Sequence, residues 1–119
     1  MATDSFGNIF IADRGNHRIR KIDVSTGFIS SIAVGLTLPS RLAVDASNDI
    51  LMLDANQVRK ISASSGIINT VAGNGENGFS GDDGPAVQAV FRGPTGLSTD
   101  GQGNLYITDT LNLRIRAVR

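Results

Sequence analysis

Apolar residues recur with a period of two in several short stretches of the chain. In residues 9–12 (IFIA), 50–53 (ILML) and 105–108 (LYIT), both sets of alternating positions are largely apolar. A period of two is that of a β-strand, and apolar residues on both faces indicate a strand covered on both sides. No stretch shows the period of an amphipathic helix together with helix caps. The pattern therefore predicts short strands and no helices.

Turn-forming residues separate these stretches at regular intervals. Tight-turn dipeptides or Ser/Thr-Gly turns occur at 7–8, 25–27, 48–49, 64–66 and 103–104. The repeating unit is therefore predicted to consist of four antiparallel strands, named A to D in chain order. In the middle unit these strands are RLAVD (41–45), DILML (49–53), QVRKI (57–61) and IINTVA (67–72).

The units form an internal repeat. Segments 2–22, 43–61 and 98–118 align with one another, and two aspartates mark the alignment in each unit. The first aspartates are Asp4, Asp45 and Asp100, and the second aspartates, nine residues further on, are Asp13, Asp54 and Asp109. Successive first aspartates are 41 and then 55 residues apart, so an insertion separates the last two units.

A four-stranded unit of about 40 residues has the size of a β-propeller blade. A β-solenoid, built from shorter coils, is the alternative. We predict an all-β fold with a single repeat region over residues 1–119. Its parts are predicted to be blade 1 at about 2–35, blade 2 at about 36–73, a long loop at 74–93 and a partial blade 3 at about 94–119, which ends after strand C.

Three stretches resemble a known repeat family. GNIFIADRGNHRIRKID (7–23), VAGNGENGFSGDDGPA (71–86) and PTGLSTDGQGNLYITDTLNLRIR (94–116) resemble the NHL repeat, particularly its bacterial form. Asn16-His17 matches the motif for which the family is named, whereas the B–C turn of blade 2 is two residues shorter and lacks the Asn-x-Arg pattern. The resemblance covers essentially the whole chain and implies a propeller, commonly six-bladed. The family includes domains that bind RNA or protein, sensor domains, and an amidating lyase whose propeller contains a metal.

Three blades are fewer than the roughly 4–8 blades of a closed propeller. An open set of three leaves apolar inter-blade faces uncovered. Because two such chains would give the six blades that the resemblance implies, we predict that the chain closes a ring as a head-to-tail homodimer. The alternative is that the chain is a fragment of a longer six-bladed propeller.

Composition argues against several classes of function. The chain has 119 residues, 11 Lys plus Arg, 11 Asp plus Glu and 5% aromatic residues without Trp, which disfavours nucleic-acid binding. The lack of cysteine excludes disulfides, thiolate zinc sites and a cysteine nucleophile. No apolar run reaches the ~20 residues of a membrane helix, and the first ten residues do not have the pattern of a signal peptide. The sequence does not determine the cellular compartment, and it is compatible with a secreted or periplasmic bacterial parent protein.

The connectivity of the meander indicates where ligand-binding residues would lie. In an A-B-C-D meander, the B–C turns and the D–A connections emerge on one face. The candidates on this face are Asp13, Arg14, Asn16, His17, Asp54, Asn56, Asp109 and Asn112. For His17 we favour a role in capping its turn.

The D–A connection between blades 2 and 3 is 17 residues longer than the one between blades 1 and 2. It contains Asp82 and Asp83, weak candidates for calcium ligands, although their spacing fits no EF-hand. The interpretation we favour is a turn-rich loop that packs Phe79, Val87, Val90 and Phe91 over an inter-blade groove.

Strand C carries the basic residues of each unit. We predict that Arg18 and Arg114 form structural ion pairs with blade aspartates or bond with turn carbonyls, since a guanidinium fork suits positions where blades meet. A basic stripe for RNA is the alternative, and the zero net charge disfavours it.

No catalytic constellation is present in the sequence. His17 is the only histidine, Tyr106 is the only tyrosine, and no Gly-x-Ser-x-Gly motif occurs. We therefore predict a non-catalytic scaffold or binding module without a cofactor. Its predicted partner is a second copy of the chain, and its ligand is an unidentified protein or small molecule. No association with a membrane is predicted. The alternative is an enzyme-like propeller in which axis-facing acids hold a metal for lyase- or hydrolase-like chemistry.

Overall fold

A computed structural model describes all residues from 1 to 119 and contains eleven β-strands and no α-helix. The strands are β1 (Ala2–Thr3), β2 (Ile9–Asp13), β3 (Arg18–Ile22), β4 (Ile29–Ala33), β5 (Pro39–Val44), β6 (Ile50–Asp54), β7 (Gln57–Ile61), β8 (Ile68–Ala72), β9 (Gly96–Thr99), β10 (Leu105–Asp109) and β11 (Arg114–Val118). Three single-turn 3-10 helices cover Arg14–Asn16, Ala86–Gln88 and Thr110–Asn112. None of the helices is long and apolar enough to cross a membrane. The predicted all-β class is confirmed.

The strands form three antiparallel sheets in chain order. The first sheet is β1-β2-β3-β4, the second is β5-β6-β7-β8, and the third is β9-β10-β11. The four-stranded meander is therefore confirmed in the first two blades. The third blade has three strands, and its strand C, β11, is a sheet edge.

The three sheets meet at their first strands. β5 contacts β1 and β2 of blade 1 on one side and β9 of blade 3 on the other. The sheets are therefore arranged like segments of a ring, with each strand A on the inside and each strand D on the outside. This is the arrangement of propeller blades.

The hydrophobic core is divided into two clusters, one at each inter-blade junction. The cluster between blades 1 and 2 contains Phe10, Ile19, Ala33, Leu36, Leu42, Ile50, Met52 and Ile61. The cluster between blades 2 and 3 contains Leu51, Leu53, Val58, Ala72, Ala89, Phe91, Leu105 and Ile107. Alternate residues of β6 thus enter different clusters, which explains why both of its faces are apolar.

The first aspartate of each unit organises the A–B turn. Asp100 Oδ1 accepts the backbone N–H groups of Gln102 and Asn104, both at 2.9 Å. Asp4 and Asp45 make the same pair of bonds two and four residues on. One side-chain oxygen thereby replaces two backbone acceptors in a turn, which is the chemistry that favours aspartate at such positions.

These hydrogen bonds make the turns at Asp4 and Asp100 sensitive to acid. The amide of Asn104 and the backbone N–H of Gln102 lower the pKa of Asp100 below its usual value of 3.8. At Asp4, partial burial acts to raise the pKa, but bonds from Asn8 and Phe6 outweigh it and the pKa is also lowered. A lowered folded-state pKa contributes stability that is present above the unfolded pKa and is lost as the pH falls through the folded pKa.

We expect the thermal midpoint to be nearly constant above about pH 5 and to fall steadily below about pH 4, where Asp4 and Asp100 become protonated. The double variant Asp4→Asn/Asp100→Asn keeps an oxygen acceptor at each turn but cannot titrate there. It should lose less of its midpoint between those pH values than the unaltered chain does, as measured by circular dichroism melts. Identical acid dependence in the two proteins would contradict this assignment.

Candidate functional site

The second aspartate of each unit lies at the end of strand B, on the face that holds the B–C turns and the linkers. We call the connections from strand D to the next strand A linkers; they are residues 34–38 and 73–95. Asp54 Oδ1 accepts the N–H groups of Thr37 at 2.9 Å and Leu38 at 2.7 Å, both in the first linker. Its Oδ2 accepts from Arg59 Nη1 at 3.2 Å. The carboxylate therefore ties the linker to strands B and C of its own blade.

Asp109 repeats this arrangement at the second junction. Its Oδ1 accepts the N–H of Arg92 at 2.8 Å, and its Oδ2 accepts from Asn112 Nδ2 at 2.8 Å and Arg116 Nη1 at 3.4 Å. The side chain is fully buried. Asp54 and Asp109 are thus consumed by internal bonds and present no free carboxylate to a ligand.

Asp13 is the equivalent residue of blade 1, and its carboxylate has fewer partners. It accepts from Asn16 Nδ2 at 2.9 and 3.1 Å, and Arg20 lies 3.9 Å away. No linker N–H reaches it. Its side chain is 23% exposed, compared with 2% for Asp54.

The arginines that pair with the second aspartates are Arg20, Arg59 and Arg116, so the predicted ion pairs of Arg18 and Arg114 are wrong. Arg18 and Arg114 lie directly across the ladder from their aspartates. Each instead turns toward the adjoining 3-10 turn and donates its Nε to a backbone carbonyl, of Asn16 at 3.3 Å and of Asn112 at 3.2 Å respectively.

The physical reason is the reach of the arginine side chain. A residue directly opposite an aspartate has to fold back to meet it, whereas the residue two positions further along the same face meets it diagonally in an extended form. The turn-carbonyl contacts of Arg18 and Arg114 agree with the other half of the prediction. The spacing from aspartate to partner, seven residues in blades 1 and 3 and five in the shorter blade 2, is visible in the sequence.

His17 connects its turn to the first linker. The residue has a left-handed backbone conformation at φ 56°, and its Nδ1 lies 2.9 Å from the carbonyl oxygen of Thr37. Its own carbonyl accepts the N–H of Leu36 at 3.0 Å. These two contacts hold blade 1 to the linker, and the turn itself is capped by the backbone N–H of His17, which donates to the carbonyl of Arg14 at 3.1 Å.

The long second linker is held against blade 3 by Arg116. The guanidinium donates to the carbonyl oxygens of Val90 at 2.6 Å and Ser80 at 2.7 Å and to Asp82 Oδ1 at 3.0 Å. It also lies 4.8 Å from the ring centroid of Phe79 and 4.9 Å from that of Phe91. Arg116 is 7% exposed, so these are desolvated, charge-assisted bonds.

These contacts of Arg116 change the interpretation of Asp82 and Asp83. Asp82 is paired with Arg116 at 2.9 Å, and no group of three or more His, Asp or Glu side chains converges anywhere in residues 1–119. The calcium assignment for Asp82 and Asp83 has no geometric support. The predicted packing of the loop is found for Val90 and Phe91, which are buried, but not for Val87, which is 48% exposed, or for Phe79, which is 43% exposed and stacks against Arg114 at 3.8 Å.

A groove of about 560 Å³ opens on the same face, where the inner strands of the blades meet. Arg14 comes from the B–C turn of blade 1, Ser40 and Arg41 from β5, Asn56 from the B–C turn of blade 2, and Thr95 from the second linker. Arg14 and Asn56 are therefore the two predicted ligand-face residues that line a concavity. Arg41 was not predicted, since it stands at a position occupied by glycine in blade 3 and belongs to no repeated motif.

Comparison with known proteins supports the fold. No family model matches the chain. Human teneurin-4 is 30% identical over 138 residues, which cover 94% of this chain and 5% of teneurin-4. Mouse teneurin-1 is 30% identical over 106 residues, which cover 76% of this chain and 4% of that protein. The chain thus corresponds to a small part of each of these relatives.

Three bacterial proteins of known structure have a similar fold. A protein of unknown function from Bacteroides thetaiotaomicron superposes with a TM-score of 0.76 at 22% identity, covering 93% of this chain and 32% of that one. An auxiliary nutrient binding protein of the same organism gives 0.72 at 20% identity, covering 92% and 34%. Virginiamycin B lyase from Staphylococcus aureus gives 0.64 at 16% identity, covering 98% and 39%. These neighbours are β-propeller-like and establish the fold.

Proposed function

We propose that the chain is a non-catalytic assembly module made of NHL-type propeller blades, and that two copies complete a six-bladed ring. The observation that carries this proposal is the exposure of an apolar position on the outer face of blade 3 that is buried in both other blades. The NHL assignment is supported by the Asn16-His17 turn and by the repeated aspartates that hold each turn and linker.

Ile19, Val58 and Ile115 occupy equivalent positions in strand C, one residue before the paired arginine. Their exposed fractions are 0%, 0% and 66%. Ile19 and Val58 are opposite Ala33 and Ala72 of strand D and belong to the inter-blade clusters. Ile115 has no strand D beside it and belongs to neither cluster. Burying such a side chain is favourable by about 1.5–3 kcal/mol, so a covering blade on this face is stabilising.

At the opposite end of the chain, in blade 1, the second aspartate lacks the linker bonds that its counterparts make. Asp54 and Asp109 each bind backbone N–H groups of the linker that enters their blade, and Asp13 binds none. In blades 2 and 3, the face that carries the second aspartate packs against the preceding blade. The equivalent face of blade 1, which carries Asp13, has no blade packed against it. Head-to-tail packing of blade 3 on blade 1 covers both ends with one type of contact.

A longer ring is the other way to cover these faces. The third sheet has no strand beyond β11, and the chain matches only 32–39% of each solved neighbour described above. In that arrangement further blades of one polypeptide would cover the two ends. The solved neighbours include both a binding protein and a lyase, so the fold does not choose between binding and catalysis. We favour binding because the buried acids on this face are held by arginines and backbone groups.

Substitution of Ile115 tests the proposal. Ile115→Asp places a carboxylate at the predicted blade 3–blade 1 contact, and we expect the mass in solution to fall from about twice 12.5 kDa to 12.5 kDa at the same concentration. Ile67→Asp is a matched control, because Ile67 is 60% exposed and precedes the outermost strand of blade 2. Multi-angle light scattering should find the control still dimeric. A dimer that survives Ile115→Asp, or one that Ile67→Asp dissociates as well, would overturn the proposed contact.

A further inference from the structure

The groove at the inner strands is a concavity complete within one chain. Blades 1 and 2 and the second linker all contribute to its lining, which includes Arg14, Arg41, Asn56 and Thr95. Its volume of about 560 Å³ is within the range of small-molecule sites, about 300–1,000 Å³. No residue from a second copy is needed to form it.

The charge of the groove has one sign. Arg14 and Arg41 are its only charged lining residues, and no aspartate or glutamate lines it. Neither arginine takes part in a salt bridge, although Arg20, Arg59 and Arg116 each pair with an aspartate. Two guanidinium groups without a counter-charge in a concave site attract an anion.

Arg41 is held in place without being neutralised. Its Nε donates to the carbonyl oxygen of Thr95 at 2.9 Å, across the junction of blades 2 and 3. That bond uses one of the five N–H groups of the guanidinium and leaves its terminal nitrogens for a ligand. Ser40 and Asn56 line the same groove and have no hydrogen-bonded protein partner for their side chains, so they add neutral polar groups beside the cations.

The repeat separates residues that the fold requires from residues that it does not. The second aspartates and their arginine partners recur in all three blades because each junction needs them. The groove positions differ between blades. Arg14 corresponds to Ala55 and Thr110, and Arg41 corresponds to Gly96. Since blades form with alanine, threonine or glycine at these positions, folding does not account for the two arginines.

We propose that this groove binds a small molecule that carries a carboxylate or phosphate group, with Arg14 and Arg41 as the recognition residues. Arg41 presents a pre-positioned fork to the oxyanion, and Arg14 closes on it from the turn of blade 1. The proposal goes beyond the assembly function and does not depend on it, because every residue involved belongs to one copy.

A nuclear magnetic resonance titration of the full chain tests the site. Citrate and inorganic phosphate are the two probes, and we expect saturable shifts of the backbone signals of residues 38–41, 55–56 and 93–95 with at least one of them. Saturation with citrate alone identifies a carboxylate ligand, and saturation with phosphate alone identifies a phosphate ligand. The absence of saturable shifts with both probes up to about 50 mM, which corresponds to very weak binding, would overturn the proposal.

Variants separate site binding from general attraction of anions. Arg14→Met/Arg41→Met should weaken binding at least about tenfold, equivalent to about 1.4 kcal/mol, and should lower the melting midpoint only slightly, because both side chains are exposed and the variant loses one solvent-accessible hydrogen bond, from Arg41 to Thr95. Arg119→Met removes a positive charge that lies outside the groove and should change the affinity little. Equal weakening by Arg119→Met would contradict the site, as would tighter, strongly salt-dependent binding of single-stranded RNA at the same residues. Binding should persist in Ile115→Asp, so failure of the dimer and failure of the groove remain distinguishable.

Discussion

Replacing Arg116 with methionine is expected to destabilise the chain by about 3–5 kcal/mol, one of the two largest effects of a single substitution that we predict. The variant keeps an apolar stem but leaves the carboxylate of Asp109 buried without its cation and the carbonyl of Val90 without its donor, while the carbonyl of Ser80 keeps only the backbone N–H of Val90. The linker should also loosen around residues 79–90, whereas the bond of Asn112 to the carbonyl of Gly78 and the bond of Asp109 to the N–H of Arg92 still hold it to blade 3. Urea unfolding at a fixed protein concentration measures the first effect, and limited proteolysis within residues 74–90 measures the second.

Two variants serve as controls for the Arg116 prediction. Arg114→Met removes a charge of the same type two residues away, which stacks on Phe79 and bonds with a single carbonyl, and it should cost less than about 1 kcal/mol. Arg116→Lys keeps the charge but not the planar fork, and an intermediate loss is expected. If the free energy of unfolding of the Arg116→Met protein is within about 1 kcal/mol of that of the unaltered chain, the contacts of Arg116 with Asp109 and the linker do not stabilise the fold.

Replacing Asp54 with alanine should have an effect of similar size at the first junction. The carboxylate is 2% exposed and accepts bonds from Thr37, Leu38 and Arg59. Its removal leaves two backbone donors and one guanidinium without their acceptor, and we expect a loss of about 3–5 kcal/mol in the free energy of unfolding.

Asp13→Ala is the matched comparison, since the repeat places Asp13 at the same position in blade 1. Its carboxylate is 23% exposed, binds no linker N–H and lies 3.9 Å from Arg20. Removing it should cost less than about 1 kcal/mol in the free energy of unfolding within a single chain. Equal losses for Asp54→Ala and Asp13→Ala, measured in the Ile115→Asp background where the proposed dimer is absent, would contradict the role assigned to the linker bonds.

The fold follows from features that are local in the sequence. Alternation in 9–12, 50–53 and 105–108 sets strands with two buried faces, and the turn dipeptides set their ends. The repeated aspartates place corresponding positions in register, so one interpreted blade predicts the others. Short-range hydrogen bonds explain this success, since Asp4, Asp45 and Asp100 each organise a turn within four residues of themselves.

The site could be predicted only in part because its contacts span blades. Arg116 reaches Asp82 and Ser80 across more than 30 residues of chain, a separation at which no periodicity relates the partners. Arg41 meets the carbonyl of Thr95 across 54 residues and belongs to no repeated motif. The exchange of Arg18 for Arg20 as the ion-pair partner depends on side-chain reach along the ladder, which the sequence contains only as a spacing from Asp13.

The three blades are joined at their two junctions by buried ion pairs and apolar clusters, whereas Ile115 at the outer face of blade 3 is exposed and Asp13 at the outer face of blade 1 binds no linker N–H. Residues that close the junctions repeat from blade to blade, while Arg14 and Arg41 in the groove do not repeat. Assembly and ligand recognition are therefore assigned to separate sets of residues, the first to the blade ends and the second to the inner face.

Sedimentation equilibrium of the unaltered chain over a wide range of concentrations tests the central claim most directly. We predict a closed species of twice 12.5 kDa that dissociates on dilution without forming larger oligomers, since a head-to-tail contact that closes leaves no free ends. A single species of 12.5 kDa at all concentrations, with cooperative unfolding, would show that the open blade faces need no second copy and would contradict the claim.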